Sequence, residues 1–259
     1  RFVAIAGYEW TSQPKYWTDV DPDIISERLF PGPPKFYNHK NVYFPGRVDY
    51  LFSAKEPAYQ TPDLLADAVR KAGGLIHNNH PDSGTEGRDQ FAYRRSQDDV
   101  IVNTEMLPDF LMHEGKEHHL KGEQTLREFL GRGGRTGFVS GSDTHEGTPG
   151  ARTAVLVREL TRAAVFDALR HRRNYAVSRA RILLDVRIEG HFMGEDIEID
   201  GKPRLTVEVR GTAPIEEVAI IRDGVVVCSA TPRTERIRLR HTDRAFSGPS
   251  YYYVRVIQT

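Results

Sequence analysis

From Phe2 to about residue 180, strand signals alternate with helix signals, and beyond that point the helix signals stop. This change of rhythm limits the fold more than any other feature of the chain. Alternating β and α segments predict a mostly parallel sheet built from βα units. Strands are expected at 2–8, 41–44, 74–77, 100–103, 137–140 and 153–157. The helix at 62–72 is the best marked. It has Thr61 as N-cap, Pro62 in the first turn, an apolar stripe of Leu64, Leu65, Ala68 and Val69, and Gly73-Gly74 as its stop. Further helices are expected at about 124–130 and 162–172, the second capped by Thr161. The polar or Pro-rich stretches 11–38 and 81–99 are long enough to serve as lids or linings of a site.

From about residue 182 the pattern is strand-only. Leu205, Val207 and Val209 alternate with polar residues, and Asp223-Gly224 separates two alternating runs, a strong hairpin signal. A small antiparallel, sandwich-like β domain over 182–259 is expected, without catalytic residues, after an α/β domain over 1–181.

The 259 residues carry a formal net charge of zero, so bulk charge offers no case for nucleic acid or an anionic membrane as a partner. No apolar run approaches the ~18–20 residues needed to span a bilayer. Cys228 is the single cysteine, which excludes an intrachain disulfide. The chain opens at Arg1 directly into a strand signal and closes on another, so it reads as a piece of a longer protein.

Chemistry-bearing residues recur beside the expected strands. Glu9 follows the first. His39 precedes the second. His77 and His80 follow the third, flanking two asparagines, so that one could orient the other through a hydrogen bond. Asp143 and His145 follow the strand at 137–140, two residues apart, a spacing that turns both side chains to one face of a strand. In α/β barrels the chemistry sits at the carboxyl ends of the strands. Each residue alone could be an ordinary surface or loop group, and only the recurrence makes a site. Carboxylates and imidazoles without thiolates suit Zn, Mn or Fe in a hydrolytic centre. His113, Glu114, His118 and His119 read mainly as solvated surface, with His113 the best further candidate among them, and His171, His191 and His241 read as structural.

The runs GYEW (7–10), HKNVYF (39–44), GGLIHNNHP (73–81) and GSDTHEGTPG (141–150), with DALRHRRNYAVSRARILLDVRIEGHFMG (167–194), resemble the polymerase and histidinol phosphatase (PHP) superfamily. The nearest resemblance is to a bacterial PHP-like group. It implies a distorted (β/α) barrel, here partial, carrying up to three divalent metals and hydrolysing phosphoesters. By resemblance the family's glutamate ligand falls on Glu9, its mid-domain histidine on His39, its His-Pro histidine on His80, and its late Asp-x-His pair on Asp143 and His145. The family's N-terminal His-x-His motif has no counterpart and would lie upstream of Arg1. The roughly 180 residues before the β domain are likewise short of the ~250 of a full barrel.

The resulting expectation is a phosphoesterase with two or three ions in the full-length protein. Glu9 would bridge metals, Asp143 would act beside it, and a small phosphorylated molecule would be the substrate. Lys40, Arg88, Arg94 and Arg95 are the basic residues available for its phosphate. The alternatives are a metal-dependent amidase or lactonase, or a non-catalytic binding module with a metal clip. The chain by itself is expected to be weakly active or inactive.

Overall fold

A computed structural model describes residues 2–12, 37–79, 95–106, 126–141, 150–178 and 180–259. The chain divides into two compact units, Arg1–Ala176 and Val177–Thr259. Together they are mixed α/β, with many strands, few helices and several small sheets, none of which closes among the described residues.

In the first unit, β1 (Ala6–Ser12), β2 (Asn38–Phe44), β3 (Leu75–Asn78), β4 (Ile101–Glu105) and β5 (Gly137–Val139) form one sheet in sequence order. The expected parallel sheet is met only at β3–β4–β5. The pairs β1–β2 and β2–β3 run antiparallel. Alternating strand and helix signals do not fix direction. The irregular stretch 45–61 precedes the helix α1 (Pro62–Lys71), and so long a connection can return the chain to either end of the sheet.

Helix α1 is specified locally at both ends. Thr61 Oγ1 accepts from the Leu64 amide at 3.3 Å. At the other end Gly73 takes φ +69°, its amide reaching Arg70 O at 3.0 Å while the Gly74 amide reaches Val69 O at 2.9 Å. This is a Schellman closure, which favours glycine at the left-handed position. Leu65, Ala66 and Val69 bury against Trp10, Val42, Phe44, Ile76 and Ile101 on one face of the sheet. Residues 126–131 form α2, and α3 spans Arg162–Arg170 under a Thr161 cap. On the opposite face, Phe166 and Leu169 of α3 meet Leu75 and Val102. A barrel carries its helices on the outside only. Here both faces are covered, so the described strands form an open sheet, and β3 and β4 are buried throughout. Strands β6 (Arg152–Val155) and β7 (Asn174–Val177) pair separately.

The second unit contains β8 (Leu183–Ile188), β9 (His191–Phe192), β10 (Arg204–Arg210), β11 (Ile215–Arg222), β12 (Val225–Ala230), β13 (Arg236–Thr242) and β14 (Tyr252–Gln258). Two antiparallel sheets, ordered β13-β10-β8-β9 and β12-β11-β14, share one apolar core centred on Leu205, Val207, Val209, Val218 and Ile220. The β11–β12 turn places Asp223 at φ +50° and Gly224 at φ +79°, as the Asp-Gly signal predicts. Among the described residues, no helix is long and apolar enough to cross a membrane.

Candidate functional site

The antiparallel pairing of β1 with β2 builds the site. Glu9 faces Asn41 in register, and Thr11 faces His39. Residues two apart on a strand share a face, so Glu9 and His39 meet as a diagonal cross-strand pair. Glu9 Oε1 lies 2.7 Å from His39 Nδ1, and Thr11 Oγ1 donates to the same oxygen at 3.2 Å. Asn79, directly after β3, donates from Nδ2 to Glu9 Oε2 at 3.2 Å. Glu9 therefore stands in the middle of β1 rather than at a strand end. His39 sits at the start of β2 because β2 runs back against β1, which explains its awkward place under a carboxyl-end rule.

The two side chains keep contact with solvent, 27% exposed for His39 and 36% for Glu9. Carboxylate oxygen and imidazole nitrogen are donors that first-row divalent ions accept, so the pair fits part of a metal site. Among the described residues, no group of three or more His, Cys, Asp or Glu side chains gathers as a metal cluster. His80, Arg88, Arg94, Asp143 and His145 lie outside the described residues, as do His113, Glu114, His118 and His119.

His77 lies in the same cross-strand row, Glu9↔Asn41↔His77↔Asn103↔Gly137. Two strand spacings put its backbone about 10 Å from that of Glu9. Its ring is 5% exposed and packs on Tyr43 with centroids 4.7 Å apart. Burial pushes its pKa down to about 3. Asn174 Nδ2 donates to Asn103 Oδ1 at 3.0 Å, which leaves the Asn103 amide group to serve Leu169 O at 2.9 Å and His77 Nε2 at 3.1 Å. In that network His77 is neutral, with Nε2 as an acceptor and the proton on Nδ1.

Lys40 points to the other face, in register with Trp10 and Asn78. It is 0% exposed, and Nζ donates to Asn78 Oδ1 at 2.7 Å. A phosphate arriving from solvent does not meet this ammonium unless that face opens.

Three residues of this face were given no role in the reading of the sequence. Asn79 and Asn103 are the amides described above. Glu105 ends β4 at 8% exposure, and a Cβ on Gly141 would stand 3.1 Å from its Oε1. The Tyr43 phenol is pushed up to about 12, chiefly by burial, with the charges of Glu105 and Glu9 adding to the effect. Both acids thus act on one phenol. An acid at the end of an apolar strand was the available sign for Glu105.

No family model matches the chain. An uncharacterized protein of Chlamydia trachomatis is 25% identical across 100% of this chain and 45% of its own length. One from Chlamydia muridarum is 28% identical over the same shares. The chain thus spans less than half the length of these curated relatives. A solved two-domain protein from Bacteroides vulgatus, described as containing a predicted PHP-like metal-dependent phosphoesterase, aligns with 98% of this chain and 74% of its own. The identity is 13% and the TM-score 0.38. That likeness is too slight to carry a fold or an activity across.

Proposed function

We propose that this chain carries part of a divalent-metal-dependent phosphoesterase, with Glu9 and His39 at its centre. The observation that carries the reading is the 2.7 Å contact between Glu9 Oε1 and His39 Nδ1 on a partly exposed sheet face. The motif resemblance over 7–10, 39–44, 73–81 and 141–150 supports it, because Glu9 and His39 are the positions on which the family's ligands fall. In this reading His80, Asp143 and His145 complete the ligand set in the full-length protein, and His77 lies beside it. The metal is Zn, Mn or Fe, two or three ions in all, held at the edge of the open five-stranded sheet. The substrate is a small phosphorylated molecule, and Arg88 is the basic residue offered to its phosphate.

A bound divalent ion would supply a hydroxide at neutral pH and neutralise charge on the phosphoryl oxygens. The chain's own residues hold the site in shape. Thr11 and Asn79 occupy both Glu9 oxygens and fix the carboxylate plane. Glu9 in turn orients the His39 ring through Nδ1. His77 stays neutral at physiological pH and adds no positive charge beside cation ligands.

The test is hydrolysis of an aryl phosphate by the full-length protein with Mn or Zn added. Wild type, Glu9→Gln and Asp143→Ala are compared. Loss of about 100-fold or more in either variant is expected. Activity equal to wild type in both removes the proposed centre.

A further inference from the structure

We propose that Asn79 is the positioning residue of this site, setting the Glu9 carboxylate in the orientation that faces His39. The inference rests on the metal-site reading above and assigns a role that neither the motifs nor the relatives give. Asn79 is 5% exposed, follows β3 directly, and makes three hydrogen bonds, two to β2 and one to β1. Its backbone amide donates to His39 O at 3.1 Å. Its Oδ1 accepts from the Asn41 backbone amide at 3.2 Å, and its Nδ2 donates to Glu9 Oε2 at 3.2 Å.

The contact with Asn41 decides the contact with Glu9. A backbone N–H can only donate, so the carboxamide end facing Asn41 must be the oxygen. The amide group is then the end facing Glu9. The flipped carboxamide would set donor against donor at Asn41 and oxygen against oxygen at Glu9. Glu9 Oε2 is therefore held from β3 while Oε1 meets His39 Nδ1 and Thr11 Oγ1. Asn78, one residue earlier, turns to the other face and receives Lys40, so the two adjacent asparagines serve different structures. Groups that orient a metal ligand in this way govern affinity, and their loss typically costs 10–100-fold.

The experiment is equilibrium dialysis of Mn and of Zn against the full-length protein, with thermal melting alongside. Asn79→Asp keeps the oxygen that serves Asn41 and replaces the donor facing Glu9 with an acceptor. Binding about tenfold or more weaker than wild type is expected for N79D. In a Glu9→Gln background the same change should cause no further loss, because an effect transmitted through Glu9 disappears when Glu9 is no longer a carboxylate. If N79D fails to fold, Asn79→Ser, whose hydroxyl is too short to bridge to Glu9, carries the same expectation. Wild-type affinity in the Asn79 variant, with affinity lost in Glu9→Gln, overturns the positioning role and leaves the metal-site reading standing. Unchanged affinity in Glu9→Gln overturns the metal-site reading and this role with it. An additive loss in the double variant shows that Asn79 acts other than through Glu9, which also overturns the proposal.

Discussion

Glu9 Oε1 and His39 Nδ1 stand 2.7 Å apart although the residues are 30 positions apart in sequence. The contact depends on the antiparallel register of β1 with β2, and a slip of one residue would send one of the two side chains to the opposite face. The site is therefore as secure as that register. Tyr8 and Trp10 of β1 anchor it from the other face. Tyr8 donates to Phe52 O at 3.0 Å, and Trp10 Nε1 donates to Tyr59 O at 3.0 Å.

Gly137 closes the row that begins at Glu9. A Cβ there would stand 2.2 Å from Asn103 Oδ1 and 3.2 Å from Asn174 Nδ2. Gly137→Ala is expected to destabilise the protein by about 1–3 kcal/mol, as overpacked sites do. Urea denaturation at pH 7 measures it, and a loss under about 0.5 kcal/mol would mean that the Asn103–Asn174 network yields without cost.

His77 gives the first unit an acid-sensitive element. Its folded pKa of about 3 lies below its ordinary value of 6.5, because burial disfavours the imidazolium. As pH falls below about 6.5 the unfolded chain takes up a proton that the folded chain refuses, so stability drops until the folded value is reached near 3. In metal-free protein the cost of going from pH 8 to pH 5 is about 2 kcal/mol from this group. Paired denaturation series of wild type and His77→Gln at the two pH values test it. Identical acid dependence in both would show that His77 does not contribute.

The second unit has its own polar clamp. Arg222 Nη1 donates to Asp243 Oδ2 at 2.6 Å, the Tyr252 hydroxyl donates to the same oxygen at 2.9 Å, and the Ala245 amide serves Oδ1 at 3.1 Å. Burial alone would raise the Asp243 carboxyl. The Tyr252 and Ala245 hydrogen bonds and the Arg222 charge outweigh it and hold the group below the usual carboxylate range. Asp243→Ala removes the acceptor that Arg222 and Tyr252 share, leaves Arg222 its longer 3.7 Å contact with Asp223, and is expected to lower the melting temperature by several degrees. Asp243→Asn, which still accepts at one oxygen, should lose less. Equal stability of Asp243→Ala and wild type in thermal melting would contradict this.

What could be read from the sequence was local. Thr61, Thr161 and Gly73 mark their helix ends through contacts within a few residues, and Asp223-Gly224 marks its turn through its own backbone angles. The proposal of Glu9 and His39 as site residues came from their recurrence beside expected strands and from motif resemblance. Their contact did not, since nothing in the chain states that β2 runs against β1 rather than beside it. The burial of Lys40 was hidden for the same reason: its face is decided by register with Trp10 and Asn78, and a lysine in a polar run looks exposed. The roles of Asn79 and Asn103 were illegible because an amide announces no chemistry until its partners are placed. His80, Asp143 and His145 lie outside the described residues, so their part in the site stays a proposal.

The most direct measurement is anomalous diffraction from crystals of the full-length protein grown with Zn or Mn, collected on both sides of the metal's absorption edge. The proposed centre predicts an anomalous peak within about 2.0–2.2 Å of a His39 ring nitrogen, with the Glu9 carboxylate either binding the same ion or hydrogen-bonded to the His39 ring. Metal bound elsewhere, with Glu9 and His39 paired only to each other, would contradict it.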